Sequence, residues 1–385
     1  MEKKHIKILV LTKSVDGGTG TFVFNLQELK NAFLPNKIQI KNIILEKPNY
    51  MNISKNSFLF FRNKDFYPIN YNLSTENIKA FIEDVVWFKK VVGKMVPDVI
   101  LGVDVYCNLI LSLLKILFFK KIKIVLTTHI NLEDNIEQRG DTILKFLLRG
   151  CVKFFYNRAD SLVFVSKHLA ENCINRFFLK KSIVSTIYNG IPFKKTVDFK
   201  HKDKKENIIV TISRLVEQKD HLTLLKAFSF LQKRFFNTRL WIISDGDKKK
   251  YLENYAKKLK VQNKTRFFGW VKDIYAYLKK ASVFVLSSKR EGFAIVLVEA
   301  MSQGLPVIST DTSFGPSEIL DNGKYGILVP VADEKLMANA MYTLLTDEKK
   351  YNFYARKSLE RAKYFSLDKM LNAYKKVILD VINKS

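Results

Sequence analysis

The chain has 385 residues, 47% of them hydrophobic and 13% aromatic, and it carries a formal net charge of +28. This composition excludes a disordered chain, a collagen-like repeat and a small disulfide-stapled domain, and the length requires more than one hydrophobic core. The charge by itself does not indicate nucleic acid, because it is mainly an excess of Lys that both halves of the chain share.

The first half of the sequence alternates short β-branched segments with segments of helical periodicity, which is typical of a parallel sheet flanked by helices. Strands are predicted at residues 6–12, 38–45, 99–101, 122–128, 161–165 and 183–188, and helices at 21–33, 77–94, 108–119, 142–157 and 167–177. We therefore predict a Rossmann-like α/β domain over residues 1–190.

A charged segment without periodic apolar positions, residues 191–206, is typical of an exposed linker, and the alternation resumes behind it. Strands are predicted at 208–212, 239–243, 266–268, 283–286, 306–310 and 326–329, and helices at 220–234, 249–259, 274–280, 294–303 and 334–346. These segments predict a second α/β domain over 207–365. A C-terminal helix at 366–385 could pack back on the first domain.

The cysteines and the N-terminus bear on the cellular compartment. Cys107, Cys151 and Cys173 fit neither a disulfide framework nor a zinc site, and we expect buried free thiols in a reducing compartment. Residues 1–14 predict a first strand rather than a signal peptide, and no run reaches the ~20 apolar residues of a spanning helix. A cytoplasmic location is therefore predicted.

In open α/β sheets, ligands bind beyond the carboxyl ends of the strands, so the loops that follow strands hold the candidate residues. Gly17 and Gly18 open the helix after the first strand, where glycine lets a backbone approach an anion closely. The GxGxxG spacing is missing, and a generic tight turn is an equal alternative. His129 follows the strand at 122–128 as a candidate donor or proton carrier, although a lone His is more often structural.

The first strand-to-helix turn of the second domain carries two cations, Arg214 and Lys219. A planar guanidinium and a mobile ammonium near one helix N-terminus suit a diphosphate. A solvated basic turn is the alternative.

The most informative segment runs from Arg290 to Gly304. Glu291 lies in a loop after a strand, and Glu299 lies in the second turn of an otherwise apolar helix. The amides at the helix start would point at an anion, and the two carboxylates would accept hydrogen bonds from sugar hydroxyls. These amides belong to Gly292, Phe293, Ala294 and Ile295. A helix capped by Glu291 with a solvated Glu299 is disfavoured, because a charge on an apolar helix needs a partner.

Glu291 and Glu299, with seven residues between them, resemble the EX7E motif of the retaining glycosyltransferase family 4. Three further segments agree with this family in order and spacing. They are its small-residue–Arg–x4–Lys segment (SRLVEQKD, 213–220), its Asn-Gly hinge (YNGI, 188–191) and its C-terminal signature (FGPSEIL, 314–320, with YGILV, 325–329). The resemblance covers residues 189–345 well and is weaker before them. It implies the GT-B fold, in which two Rossmann-like domains face their parallel sheets across a cleft.

The resemblance also implies roles for individual residues. Arg214 and Lys219 would bind the donor diphosphate and stabilise the departing nucleotide. Glu291 would contact the transferred sugar, and Glu299 the nucleotide ribose. His129 would match a cleft histidine near the reacting sugar. Gly17 and Gly18 would match the glycine loop that lies close to the phosphates.

Departures from the family pattern bear on the nucleotide and on metals. Pro192 stands where the family often has an acid, and SDGD at 244–247 replaces a frequent GxGP turn that helps to hold the base. Asp245 and Asp247 form a DxD pattern, but they follow a strand of the wrong architecture for metal chelation. We predict no essential metal and no cofactor, and we favour UDP as the nucleotide.

Residues 142–158 bear on the acceptor. Lys145, Arg149 and Lys153 recur at four-residue spacing among apolar residues, which is typical of a basic amphipathic helix on an anionic bilayer. An ordinary core helix with a solvated lysine stripe is the alternative. A bilayer contact would place the chain peripherally on the inner face of the cytoplasmic membrane and make a lipid-linked sugar the natural acceptor.

These features together predict a retaining glycosyltransferase that moves a hexose or N-acetylhexosamine from a nucleotide-sugar to a glycan or lipid-linked acceptor in cell-surface polysaccharide or glycoconjugate synthesis. A GT-B sugar-nucleotide 2-epimerase is the first alternative, although its motif pattern is not seen. A basic nucleic-acid-binding protein is the second, but no aromatic-basic interleaving, zinc or helix-turn-helix signature supports it, so nucleic acid is not an expected partner. The missing GxGxxG disfavours a dehydrogenase.

Overall fold

The computed structural model describes residues 5–15, 17–33, 38–45, 58–60, 75–137, 142–192 and 207–384. The chain divides into two compact units: unit 1 comprises Met1–Tyr188 with Asp368–Ser385, and unit 2 comprises Asn189–Leu367. Of the predicted linker, residues 193–206 lie outside the described residues.

Unit 1 is built on a parallel seven-stranded sheet. Its strands are β1 (Ile6–Thr12), β2 (Ile38–Ile44), β3 (Phe58–Phe60), β4 (Val99–Gly102), β5 (Lys123–Thr128), β6 (Ser161–Phe164) and β7 (Val184–Thr186). Their order across the sheet is β3-β2-β1-β4-β5-β6-β7. Strand β3 was not predicted from the sequence.

Seven helices of unit 1 connect these strands within the described residues. They are α1 (Gly18–Leu26), α2 (Leu29–Ala32), α3 (Thr75–Met95), α4 (Val105–Leu117), α5 (Leu132–Glu137), α6 (Thr142–Tyr156) and α7 (Lys167–Phe177). The helix predicted at 21–33 is wrong in its bounds, because it begins at Gly18 and is divided after Leu26. Helix α5 was not predicted.

The start of α1 depends on Gly20, which sequence analysis did not single out. A Cβ at this position would lie 1.9 Å from the carbonyl oxygen of Val15. Only glycine lets the first turn of α1 fold against the preceding loop. Gly17, which precedes the helix, has a φ of 62° with open space around it.

Unit 2 is built on a parallel six-stranded sheet. Its strands are β8 (Asn207–Ile212), β9 (Thr238–Ile243), β10 (Thr265–Gly269), β11 (Val283–Leu286), β12 (Val307–Thr310) and β13 (Ile327–Val329), in the order β10-β9-β8-β11-β12-β13. Its helices are α8 (His221–Arg234), α9 (Lys249–Lys258), α10 (Tyr275–Leu278), α11 (Ile295–Ser302), α12 (Pro316–Ile319), α13 (Glu334–Thr346) and α14 (Glu348–Ala362). The predicted two-sheet α/β architecture is confirmed.

The final helix, α15 (Leu367–Asn383), belongs almost entirely to unit 1. Tyr374 is fully buried with its ring centroid 5.5 Å from that of Phe22 on α1. Lys375 Nζ donates a 2.7 Å hydrogen bond to the carbonyl oxygen of Ala32. The end of the chain therefore completes the core of the first unit.

The structure bears on the predicted lack of a membrane-spanning helix and on the state of the cysteines. None of the described helices is both long enough and apolar enough to span a membrane. Cys107 and Cys173 are buried free thiols as expected, but Cys151 is exposed. The expectation for Cys151 is wrong because this residue lies on the outer face of α6.

Candidate active site

The candidate site in unit 2 forms where the strand order of the sheet reverses. Strands β8 and β11 are neighbours, and the strands that follow each of them lie on opposite sides. Loops that leave two such strands diverge and open a crevice at their carboxyl ends. The loop after β8 carries Arg214 and Lys219, and the loop after β11 carries Glu291.

Lys219 and Glu291 are joined in an ion pair within this crevice. The distance from Lys219 Nζ to Glu291 Oε1 is 2.6 Å, and the two side chains are 15% and 8% exposed. Ser288 Oγ donates a second hydrogen bond of 2.6 Å to the same carboxylate oxygen. The carboxylate is thus held in one place with a cation beside it before any ligand arrives.

The two loops that carry this pair are joined by one backbone hydrogen bond and by two hydrogen bonds from side chains to backbone carbonyl groups. Gln218 Nε2 donates to the carbonyl oxygen of Arg290 at 2.8 Å, and the Lys289 amide donates to the carbonyl oxygen of Gln218 at 2.9 Å. Ser287 Oγ donates to the carbonyl oxygen of Lys219 at 2.9 Å. These bonds fix the positions of the backbone on both sides of the ion pair.

Arg214 differs from Lys219 in being exposed. Its guanidinium has no hydrogen bond or ion pair with any residue that the structure describes. Five N–H donors are therefore available for an external anion.

The N-terminus of α11 presents unused amides beside the pair. Ala294 precedes the helix in the left-handed region at φ 65°, with no side-chain cap. The backbone N–H groups of Gly292, Ala294 and Ile295 have no acceptor among the described residues. Because the Glu291 carboxylate is occupied by Lys219 and Ser288, a helix capped by Glu291 is not what forms. The partly positive helix end is open to an anion.

Gly315 lets another loop support this helix start. Its φ is 87°, and a Cβ there would lie 2.9 Å from the Cα and carbonyl oxygen of Phe293. Phe293 itself is buried and packs on Phe365, with ring centroids 5.4 Å apart. Gly315 lies in the C-terminal signature segment 314–320, and its contact with Phe293 cannot be read from the sequence pattern.

Glu299 is a buried carboxyl group without a counter-charge. It has no hydrogen bond or ion pair to its side chain among the described residues. Burial raises the pKa of Glu299 to about 7. Burial, together with the nearby Glu299, raises the pKa of the Tyr275 phenol as well. The Glu299 carboxyl group can accept hydrogen bonds from the hydroxyls of a ligand. Such hydrogen bonds would favour the ionised carboxylate and lower its pKa again.

This shift predicts a pH-dependent stability. The folded pKa lies above the unfolded value of 4.5, so the stability due to the neutral acid is present below pH 4.5 and is lost as pH rises to about 7. From pH 5 to pH 8 the free energy of unfolding should fall in the wild type and in the Glu299→Gln variant by different amounts. We expect the fall to be smaller in the variant, and the difference between the two to be up to roughly 3 kcal/mol. Urea denaturation at the two pH values measures this difference. Equal pH dependence in both proteins would contradict it.

Ser213 and His221 form a buried pair that sequence analysis missed. Ser213 Oγ and His221 Nε2 are 3.0 Å apart, and burial lowers the pKa of His221 to about 3. His221 Nδ1 is buried without a partner. An unpartnered buried N–H is rarer than an unpartnered acceptor, which favours the tautomer with the proton on Nε2. Ser213 Oγ then accepts a hydrogen bond from His221 Nε2–H. The Ser213 O–H, next in the chain to Arg214, remains available to donate a hydrogen bond.

Comparison with known families gives two adjacent matches. The model described as "Glycosyl transferases group 1" matches residues 193–361, and the model described as "Glycosyltransferase Family 4" matches residues 61–195. An uncharacterized glycosyltransferase of Methanocaldococcus jannaschii is 28% identical over 333 residues, which are 75% of this chain and 81% of that protein.

A second relative, from Campylobacter jejuni, is an N-acetylgalactosaminyltransferase named for a diphospho-undecaprenol-linked acceptor. It is 29% identical over 59% of this chain and 62% of its own length. Among solved structures, sucrose-phosphate synthase from Thermosynechococcus elongatus superposes with a TM-score of 0.81 at 19% identity, covering 99% of this chain and all of that one. Anabaena HepE in complex with UDP-glucose gives 0.78 at 16% identity, covering 98% of this chain and all of that one.

This chain is a GT-B glycosyltransferase of the family 4 type.

In this glycosyltransferase, His129 belongs to unit 1. Thr127 Oγ1 donates to the carbonyl oxygen of Gly102 at 3.0 Å and lies 3.1 Å from His129 Nε2. The hydroxyl proton is thereby used, which assigns the N–H to His129 Nε2 and leaves Nδ1 as an acceptor. Burial lowers the pKa of His129 to about 3. The residue suits hydrogen-bond acceptance better than proton transfer at neutral pH.

The remaining candidate residues of this glycosyltransferase are Gly17, Gly18 and the acidic pair after β9. Gly17 and Gly18 are both exposed at the start of α1. Asp245 accepts from the Gly246 amide and lies 3.4 Å from Lys249 Nζ. Within the described residues, no group of three His, Cys, Asp or Glu side chains could hold a metal ion.

Proposed function

We propose that the chain is a retaining glycosyltransferase that moves a hexose or N-acetylhexosamine from a UDP-sugar to a glycan or lipid-linked acceptor. The observation that carries the proposal is the preformed ion pair of Lys219 and Glu291, together with the Arg214 guanidinium and the amides of Gly292, Ala294 and Ile295, which have no partner in the part of the chain that the structure describes. A nucleotide-sugar offers an anion bonded to a polyol, and this site offers cations and N–H donors beside carboxylates.

The reaction first requires that the negative charge on the leaving diphosphate be stabilised. The Lys219 ammonium uses one of its three N–H bonds on Glu291, which leaves the others for a phosphate oxygen. Arg214 supplies a planar fork of donors, and the amides before α11 supply more. These groups stabilise the charge that develops on the phosphate oxygen as the bond to the sugar breaks.

The reaction also requires that the transferred sugar and the nucleoside be held in place. Glu291, fixed by Lys219 and Ser288, would accept a hydrogen bond from a hydroxyl of the transferred sugar and stabilise the positive charge on the sugar ring. Glu299 would accept hydrogen bonds from the ribose. The acceptor oxygen would attack the anomeric carbon from the face that the diphosphate leaves, and its proton would pass to the departing phosphate. Because attack and departure take place on the same face, the configuration of the anomeric carbon is retained.

The comparisons support the choice of substrates. Fold neighbours with UDP in their described complexes include Anabaena HepE and a pneumococcal O-GlcNAc transferase. Relatives include the Campylobacter jejuni enzyme above and a lipopolysaccharide core glycosyltransferase of Rhizobium meliloti, 28% identical over 195 residues. A lipid-linked or glycan acceptor is consistent with these names.

A thermal-shift series tests the donor. We expect UDP and a UDP-sugar to raise the melting temperature more than the GDP and ADP equivalents at equal concentration. A ligand at a hundredfold its Kd stabilises the fold by about 2.7 kcal/mol. The Arg214→Ala/Lys219→Ala variant is the control and should lose most of the shift. A stronger shift with GDP or ADP would overturn the choice of base, and no shift with any nucleotide would overturn the donor site.

Product analysis separates transfer from the epimerase alternative. The protein is incubated with the stabilising nucleotide-sugar with and without a lipid-linked sugar acceptor, and the products are analysed by NMR. We expect an α-linked product from an α-linked donor only when the acceptor is present. An inverted linkage would overturn retention, and an epimerised donor formed without acceptor would overturn transfer.

A further inference from the structure

Helix α6 turns an apolar stripe outward. Ile143, Phe146, Leu147 and Phe154 are 73%, 75%, 53% and 47% exposed. Their spacing of three, four and seven residues places them on one face of the helix. Gly150 and Cys151, at intermediate positions of the same face, are also exposed. A helix of a water-soluble domain normally turns such a stripe toward the core.

Two of the three basic residues that the sequence assigned to a bilayer, Lys145 and Arg149, are paired with carboxylates of α5. Lys145 Nζ lies 3.2 Å from Glu137 Oε2, and Arg149 Nη2 lies 2.6 Å from Glu133 Oε1. Arg149 also contacts Glu137, and Arg176 reaches Glu133 at 2.8 Å. Lys145 and Arg149 therefore face the carboxylates of α5, whereas Lys153 lies beside the Phe178 ring. The contact of residues 142–158 with an anionic bilayer stays a prediction, and the ion pairs of Lys145 and Arg149 leave less of its charge to these two residues.

One end of the stripe carries a further exposed aromatic residue. Phe178 follows α7 in the left-handed region at φ 52° and is 71% exposed. Asn157, just beyond α6, holds this turn: its Nδ2 donates to the Phe178 carbonyl oxygen at 3.1 Å and its Oδ1 accepts from the Lys180 amide at 2.8 Å. A bulky residue in this conformation is strained unless its surroundings fix it.

Two cations flank the aromatic end of the stripe. Lys153 Nζ lies 4.8 Å from the Phe178 ring centroid, and the Arg158 guanidinium carbon lies 3.5 Å from the Phe154 ring centroid. Both side chains are exposed, and neither has an ion pair with a carboxylate that the structure describes. Each cation thus contacts an aromatic ring, and no carboxylate among residues 75–137, 142–192 and 207–384 pairs with it.

We propose that the outward face of α6 with Phe178 inserts into the surface of a bilayer that contains anionic lipids, with Lys153 and Arg158 at the level of the phosphate headgroups. Aromatic and aliphatic residues beneath a rim of Lys and Arg match the layering of a bilayer interface. A second copy of the chain is a poorer occupant, since a symmetric contact would bring like cations together on a protein of net charge +28.

Insertion of the apolar stripe has a different signature from a purely electrostatic contact. The apolar contribution is insensitive to salt and is present with neutral lipid, and only the part due to Lys153 and Arg158 is screened. Binding should therefore be weaker, but not absent, on neutral vesicles. This separates the proposal from adhesion of a basic protein to any anionic surface.

Vesicle flotation of the full chain tests the proposal. Vesicles of phosphatidylcholine alone and of phosphatidylcholine with phosphatidylglycerol are mixed with wild type, with Phe146→Ser/Leu147→Ser and with Phe236→Ser. Phe236 is a matched control, because it is 78% exposed and lies in unit 2. We expect the double variant to bind both vesicles about tenfold or more weakly and the control to bind as wild type does.

A Lys153→Gln/Arg158→Gln variant completes the series and should lose the preference for the anionic vesicles. Failure of the wild type to float with either vesicle would overturn the proposal, and so would equal binding by Phe146→Ser/Leu147→Ser. A vesicle-free dimer that this variant abolishes, seen by light scattering, would assign the stripe to self-association instead. Retained nucleotide thermal shifts in the variants would show that they fold and that the donor site is unaffected.

Discussion

Removal of both Arg214 and Lys219 should lower kcat by about 10²-fold or more. Preorganised charges that stabilise a developing oxyanion contribute about this much in other enzymes, and both cations lie in the loop after β8, at the crevice between β8 and β11. The Arg214→Ala/Lys219→Ala variant is compared with wild type in steady-state transfer from the nucleotide-sugar that gives the largest thermal shift. Near-normal turnover would contradict the assignment.

The single variants distinguish the two cations. Lys219→Ala leaves the Glu291 carboxylate, 8% exposed, without its counter-charge, so a loss of stability is expected along with the loss of turnover. Arg214→Ala removes an exposed, unpaired group and should leave the melting temperature unchanged. Lys289→Ala is the matched control: this neighbouring lysine pairs with the exposed Glu217 at 2.7 Å, and such surface pairs contribute about 0–1 kcal/mol. Its turnover should equal that of the wild type.

Glu291→Gln should separate binding from chemistry. The amide keeps the size of the side chain but removes the negative charge that now competes with a phosphate for Lys219. We expect equal or tighter binding of UDP by calorimetry together with a kcat lowered by roughly 10²-fold, because stabilisation of the positive sugar is lost in the transition state. Ser288→Ala removes one hydrogen bond to the same oxygen and should cost tenfold or less. Weaker UDP binding by Glu291→Gln with unchanged kcat would contradict this role.

The sequence predicted the parts of the molecule that depend on local pattern. Alternating strand and helix periods located both sheets, and Glu291, Arg214 and Lys219 were identified in the loops after β11 and β8. The pairing of Lys219 with Glu291 follows from sheet order, since 72 residues separate them and only the adjacency of β8 and β11 brings them together. Motif resemblance indicated that both matter, but not that they touch.

Other features could not be read from pattern. Periodicity showed that α6 has an apolar face and a basic face, but which face turns outward depends on Glu133 and Glu137 of α5, which neutralise its cations. The Ser213–His221 pair and the space restriction at Gly315 arise from backbone positions set by distant segments. Strand β3 is only three residues long, below the length at which alternation is informative.

The place of α15 in unit 1 has a consequence for how the protein is made and divided. Unit 2, Asn189–Leu367, is one continuous stretch, whereas unit 1 is interrupted by it. A ribosome delivers Tyr374, which fills the core beside Phe22, only after the whole of unit 2 has been synthesised. The first unit therefore finishes folding last. A single uninterrupted gene fragment can therefore encode all of unit 2. A gene for unit 1 alone must encode a new connection between Tyr188 and Asp368.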